Sequence, residues 1–206
     1  MQGSDAPRIS VDQLACRRGD RLLFRRLSLE LRHGEACHVI GANGTGKTTL
    51  IRTLAGLAAP YAGTVRCEGT IGLLDERIGL EPEQSLGAAL NFWFALDRTA
   101  DRESVLRCLR LTDLVEVPVR YLSTGQKKRA GLARLLGQNA DVWLLDEPLS
   151  GLDTASQGLV SNLIVEHLDR QGSALIASHQ PLDVPGMTTL ALEDYAAPRE
   201  TLEQEP

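Results

Sequence analysis

Apolar and polar residues alternate over Ile9–Leu14 and again over Leu27–Leu31, the period of strands with one buried face, and the two segments predict an antiparallel ribbon. His33-Gly34-Glu35 is a turn. Ala36–Ile40 reads as a buried strand running into a glycine-rich loop, and Thr48–Leu57 continues as a helix. Pro60, Gly63 and Gly69 break the next stretch, leaving a short strand at Thr64–Cys67. The pattern then turns helical. Ser85–Leu96 places Leu86, Ala89, Leu90 and Trp93 on one face, Arg102–Leu109 predicts a second helix, and the helix after Ser123 carries Ala130, Leu132, Ala133, Leu135 and Leu136. Val142–Leu145 is an uninterrupted apolar run ending at Asp146, as in a central parallel strand covered on both faces. Ser156–Leu168 is a helix, Ala174–Ala177 a second buried strand ending at Ser178-His179, and Thr188–Leu192 an outer strand. The first seven residues read as a loose terminus, and residues 193–206 as an acidic, mobile tail.

This is an α/β pattern with a ribbon at one end and a helical insertion. At 206 residues the chain is expected to form one domain with an ordinary core, and its 43% hydrophobic and 24% charged residues are those of a globular protein. A net charge of −5 without a basic stripe argues against nucleic acid as a partner. Lys127-Lys128-Arg129 is expected to be a solvated helix face. Cys16, Cys37, Cys67 and Cys108 show no CxxC spacing, and Cys37 is expected to be a buried free thiol of a cytosolic protein. No apolar run reaches the ~20 residues that span a bilayer, and no signal peptide opens the chain. The expectation is a cytoplasmic protein that touches membranes only through a partner.

Gly41-Ala42-Asn43-Gly44-Thr45-Gly46-Lys47-Thr48 matches the P-loop pattern G-x-x-x-x-G-K-[ST] between a predicted strand and a predicted helix. Backbone N–H groups of such a loop wrap phosphates, the lysine reaches the terminal ones, and the threonine hydroxyl binds magnesium. Asp146 ends a buried strand, where α/β sheets place ligands, and is the second candidate magnesium ligand. Glu147 follows it and is placed to orient an attacking water. Leu122-Ser123-Thr124-Gly125-Gln126 combines a capping box, Ser123 with Gln126, with a glycine that lets backbone approach a ligand at a helix start. Two phosphate sites in one small domain point to one nucleotide gripped from two sides. Ser150-Gly151-Leu152-Asp153 is by itself only a tight loop. His179 is by itself a structural histidine, or a group that senses a phosphate or the attacking water.

Taken together and in this order, these segments resemble the ATP-binding cassette (ABC) ATPases over about residues 8 to 192. The resemblance implies a P-loop NTPase fold of the ABC type. Residues 8–75 and 138–192 would form a RecA-like core of mixed sheet with the β ribbon, and residues 80–137 a helical subdomain. It implies that ATP and Mg2+ are the cofactors, with Gly41–Thr48, Thr49, Ser123, Thr124, Gly125, Gln126 and Asp153 at the nucleotide, Thr48 and Asp146 at the metal, and Glu147 and His179 in catalysis. It also implies a homodimer in which each copy's signature, Leu122–Gln126, covers the ATP on the other copy's P-loop. A hydroxyl suits that role, because Ser123 can accept the cap bond while donating to a phosphate oxygen. Within the family, Tyr121-Leu122-Ser123, Lys127-Lys128-Arg129 and above all His179-Gln180-Pro181-Leu182 are similar to the ATP-binding subunits of haem export in cytochrome c maturation. That likeness implies a peripheral protein on the cytoplasmic face of the inner membrane, coupled to permease subunits. The alternatives are another small ABC exporter subunit or a weakly hydrolysing ATP switch.

The chain departs from the family at three places. The aromatic residue that usually holds adenine falls near Arg18, where the nearby aromatic is Phe24, although a guanidinium also stacks on a flat ring. Thr124 stands where the signature usually has glycine. The glutamine of the Q-loop is missing from Ile71–Gly79; Arg77 takes its place, with Gln84 a more distant alternative. Arginine does not ligate a cation, so magnesium would be held by Thr48, Asp146, phosphates and water.

Overall fold

The computed structural model describes residues 8–197, so residues 1–7 and 198–206, and the expectations that fall on them, lie outside the described residues. Two sheets organise the rest. Strands β1 (Ile9–Arg18), β2 (Arg21–Leu31) and β4 (Ala62–Cys67) form an antiparallel sheet in the order β2-β1-β4. Strands β3 (Ala36–Ile40), β5 (Ile71–Leu74), β6 (Val142–Asp146), β7 (Ser173–Ala177) and β8 (Thr188–Ala191) form a parallel sheet in the order β5-β6-β7-β3-β8. Helices α1 (Lys47–Leu54), α2 (Leu86–Leu96), α3 (Arg102–Cys108), α4 (Thr124–Gln138) and α5 (Thr154–Asp169) complete it.

The parallel strands divide their side chains between two cores, as the two-residue period requires. Val142 and Leu144, Leu175 and Ala177, Cys37 and Val39 pack with α1 and the β1–β2 ribbon. Trp143 and Leu145, Ala174 and Ile176, with Ala36, pack with α2, α4 and α5. Both faces of the sheet are therefore covered, which is why its central strands are apolar without interruption.

Several boundaries moved, each for a local reason. The ribbon strands are longer than alternation predicts, because register shifts accompany residues at Gln13 (φ 47°) and Arg26 (φ 58°) that break the period. Helix α1 stops at Leu54 rather than Leu57: Gly56 turns left-handed (φ 72°), and Leu57 N–H closes on Arg52 O at 2.8 Å, a Schellman ending. On α2 the deepest aromatic is Phe94, not Trp93; Trp93 is half-buried, with the Arg134 guanidinium 3.7 Å over its ring. The expectation of a solvated basic face fails at Lys128, which is 8% exposed. The expectation of a mobile tail from residue 193 fails for the described residues 193–197. Leu192–Tyr195 forms a 3-10 turn, Ala196 bridges to Phe24, and Ala197 N–H bonds Leu23 O at 3.1 Å. The four cysteines are free thiols, with Cys16 and Cys37 buried.

Candidate functional site

Strands β6, β7 and β3 are neighbours and parallel, so the residues that follow their C-terminal ends meet at one edge of the sheet. Gly41–Thr48 follows β3, Asp146 and Glu147 end and follow β6, and Ser178-His179 follows β7. Of the α-helices in the described residues, α2, α3, α4 and α5 each begin on a side-chain cap, from Ser85, Asp101, Ser123 and Asp153. Helix α1 begins on Gly46 with no side-chain cap. Its first N–H groups are left for a ligand, and an anion is what they suit. Gly46 sits at φ 115°, and a Cβ there would meet the Phe24 ring at 3.1 Å, so both conformation and space demand glycine. Lys47 is 7% exposed and its ammonium donates to Gly41 O at 2.7 Å and Ala42 O at 3.3 Å. Asn43 and Gly44 are exposed, Thr45 donates its hydroxyl to Ala42 O, and Thr49 O takes the Thr53 hydroxyl.

Asp146 is 3% exposed, and its Oδ1 has no hydrogen-bond partner. Burial pushes its carboxyl above the ordinary range; a hydrogen bond from Thr48 opposes this, and the Glu147 charge adds to it. A desolvated carboxylate oxygen without a partner, beside a threonine hydroxyl, is the donor set a hard divalent cation takes. Lys128 comes up from α4 and feels the charges of Asp146, Glu147, Glu76 and Asp75, although burial is the larger influence and lowers its pKa. Glu147 holds a left-handed backbone (φ 48°), costly for a side chain bearing a Cβ, while its N–H bonds Ala177 O at 2.8 Å. Its Oε2 lies 2.7 Å from His179 Nδ1 and 3.4 Å from the His179 N–H. An ionised carboxylate only accepts, so Nδ1 carries the hydrogen, and in the neutral ring Nε2 is left an acceptor, suited to the hydrogen of a water.

The signature forms its own structure. Ser123 Oγ accepts from Gln126 N–H at 3.2 Å, and Gln126 Oε1 accepts from Ser123 N–H at 2.7 Å, completing the capping box. Thr124 and Gly125 lie against the loop before α5: a Cβ on Gly125 would come within 2.8 Å of Gly151 O, and one on Gly151 within 2.9 Å of Thr124 Cγ2. Asp153 ends that loop as the α5 cap, its Oδ1 accepting from Ser156 N–H at 2.8 Å, which lowers its carboxyl pKa. Arg77 is exposed, and its N–H bonds Asp75 Oδ1 at 2.8 Å; Gln84 sits in the turn before α2, where its carbonyl accepts from Val119 N–H.

A cavity of about 1110 Å³ opens on residues 42–45 of the P-loop and is also lined by Arg17, Asp20, Tyr61, Glu193 and Ala196. No residue of Leu122–Gln126 lines it. Sequence reasoning missed most of these walls. Phe24, the aromatic it noticed, is fully buried, and the cationic residues facing the cavity are Arg17, Arg21 and Arg25, not Arg18. Glu193 Oε1 accepts from the P-loop Ala42 N–H at 2.8 Å across 151 positions, a contact no local pattern announces. The one available signal was Tyr61, an aromatic in a Pro- and Gly-broken loop with no core to fill.

Known proteins resemble this chain over most of its length. The profile of the ABC transporter family matches residues 24–150. A cytochrome c biogenesis ATP-binding export protein from Novosphingobium aromaticivorans is 51% identical, across 88% of this chain and 94% of its own. The protein of the same name from Zymomonas mobilis is 44% identical, across 92% and 86%. An ABC-transporter-type ATP-binding protein from Pyrococcus furiosus superposes with a TM-score of 0.80 at 25% identity, across 92% and 99% of the two chains.

Proposed function

The chain belongs to the ABC transporter family of ATPases, and on that premise we propose that it is the ATP-hydrolysing subunit of an exporter in cytochrome c biogenesis, with haem as the cargo class. The reading rests most on one observation: an uncapped P-loop helix, an orphaned buried Asp146 oxygen and a hydrogen-bonded Glu147–His179 pair share one edge of the sheet.

In this reading the N–H groups of Gly41–Thr48 and the start of α1 wrap the ATP phosphates, with Thr49 in the same first turn. The Lys47 ammonium, which bonds Gly41 O and Ala42 O in the free loop, turns to the terminal phosphates. Thr48 and Asp146 would hold Mg2+, which supplies positive charge against the phosphate oxygens. Glu147 orients a water for attack, since phosphoryl transfer depends chiefly on positioning and charge. His179 holds the Glu147 carboxylate and offers Nε2 to that water. Ser123, Thr124, Gly125 and Gln126 of a second copy close over the γ-phosphate, and Asp153, by capping α5, holds the loop on which that signature rests. The dimer would work with membrane permease subunits. Among the described residues no helix is long and apolar enough to cross a membrane, so attachment to the inner face would come through the permease.

Glu147→Gln tests the assignment. It keeps the shape and removes the charge, so steady-state hydrolysis should fall by ~10²–10⁴-fold with ATP affinity retained, and covalent haem in the host's c-type cytochromes should be lost. An undiminished rate refutes the role of Glu147. One observation favours a second reading, a weakly hydrolysing switch: Ile71–Gly79, where the resemblance expects a metal-contacting glutamine, contains none. A purified wild-type protein with negligible steady-state turnover would select it.

A further inference from the structure

The cavity does not end at the P-loop. Beyond Asn43 and Gly44 its wall includes Tyr61 and Arg17, which come from different parts of the chain. Tyr61 N–H bonds Ala15 O at 2.8 Å, which fixes the start of β4 against β1 and sets the ring beside the ribbon. The Arg17 guanidinium carbon lies 5.4 Å from the centroid of the Tyr61 ring. A cation within ~6 Å of an aromatic face is held by the ring quadrupole. Tyr61 is 58% exposed, a large ring left at the surface. Phe24 offers no alternative, being buried under Gly46.

We propose that Arg17 and Tyr61 together form the platform on which the nucleotide base stacks. A triphosphate laid in the P-loop leaves its base directed into the remaining cavity; Arg21 and Arg25 line it too, but the guanidinium already held against an aromatic ring there is that of Arg17 on Tyr61. A guanidinium is planar and weakly hydrated, so it gives up little on being covered by a base. Held against Tyr61, it is already ordered before the ligand arrives. Stacking also explains why no aromatic residue is needed earlier in the ribbon: the residue just before β4 supplies the ring and β1 the cation. The Tyr61 hydroxyl has no part in this, and the platform needs the ring alone.

The inference rests on the phosphate-binding role of the P-loop, and the test separates the two. Binding of ATP and of inorganic tripolyphosphate is measured by calorimetry with Mg2+ for the wild type, Tyr61→Ala, Tyr61→Phe and Arg17→Ala. Tripolyphosphate keeps the charge and has no base. Tyr61→Ala and Arg17→Ala should each weaken ATP about tenfold, the scale of one lost base stack, and leave tripolyphosphate unchanged. Tyr61→Phe should bind ATP like the wild type. Unchanged ATP affinity in Tyr61→Ala, equal losses for both ligands, or a loss in Tyr61→Phe as large as in Tyr61→Ala overturns the platform. Failure of the wild type to bind tripolyphosphate overturns instead the P-loop reading beneath it.

Discussion

Replacing Ser123 by aspartate separates the two duties assigned to that residue. In the single chain Ser123 is a helix cap: its Oγ accepts from Gln126 N–H at 3.2 Å, and Gln126 Oε1 returns the bond to Ser123 N–H. Aspartate is as good a cap as serine and adds charge that favours a helix start by ~0.3–1 kcal/mol, so the fold should lose nothing. Ser123→Ala, by contrast, should cost ~1 kcal/mol and lower Tm by ~2–4 °C. The second duty is to meet the γ-phosphate bound by another copy. Ser123 is exposed, and the hydroxyl hydrogen is not used by the cap, in which the oxygen accepts. A carboxylate cannot donate there and would repel. Two like unit charges ~4 Å apart at an effective dielectric of ~20 cost about 4 kcal/mol, roughly a thousandfold in association at each of the dimer's two shared sites. The assay is light scattering with Mg2+ and ATP in the Glu147→Gln background, where hydrolysis does not dissolve the dimer. The expected result is a Ser123→Asp protein with at least wild-type thermal stability that stays monomeric at concentrations where its parent dimerises. Dimers of undiminished affinity would show that the signature does not act on a partner's nucleotide, and the shared site would have to be abandoned.

Two further perturbations follow from single contacts. Asp146 is buried and its folded-state pKa is raised, so its contribution to stability is complete below the unfolded pKa and is lost as pH rises through the folded one. Asp146→Asn should therefore melt higher than the wild type at neutral pH without nucleotide, with the gap closing toward acid, and should gain less from Mg2+ and ATP; equal melting curves from acid to neutral pH would contradict the burial argument. Gly125→Ala drives a methyl to 2.8 Å from Gly151 O; overpacking of this kind costs ~1–3 kcal/mol, and the dimer should weaken because the signature is pushed off the loop before α5. A Gly125→Ala protein with wild-type melting temperature and dimer affinity would mean that this contact yields freely.

The P-loop, the capping box and the apolar strand ending at Asp146 were legible because each is local. Gly41–Thr48 needs eight consecutive residues, Ser123 and Gln126 are one helical turn apart, and Val142–Asp146 advertises its burial residue by residue. Their order along the chain was enough for the resemblance, and the α/β class follows from two periodicities that any reader can count. The lack of a glutamine in Ile71–Gly79 was visible too.

What stayed hidden lay in contacts between distant segments. Lys128 looks solvated in a basic run, yet α4 packs on β5 and turns it inward toward the charges of Asp146, Glu147, Glu76 and Asp75, and only that packing says which face is inside. His179 is uninformative alone; it becomes a partner of Glu147 because β7 lies beside β6, 32 positions away in sequence. Glu193 belongs to an acidic ending by composition and to the P-loop by position, because β8 pairs with β3 and returns the chain to it. Tyr61 meets Arg17 only because β4 pairs with β1. The sequence by itself therefore determined which groups can bind a phosphate and in what fold class, since period and spacing act over a few residues. Strand order and the packing of α4 on the sheet decided which of those groups face one another, because hydrogen-bonded neighbours in a parallel sheet need not be neighbours in the chain.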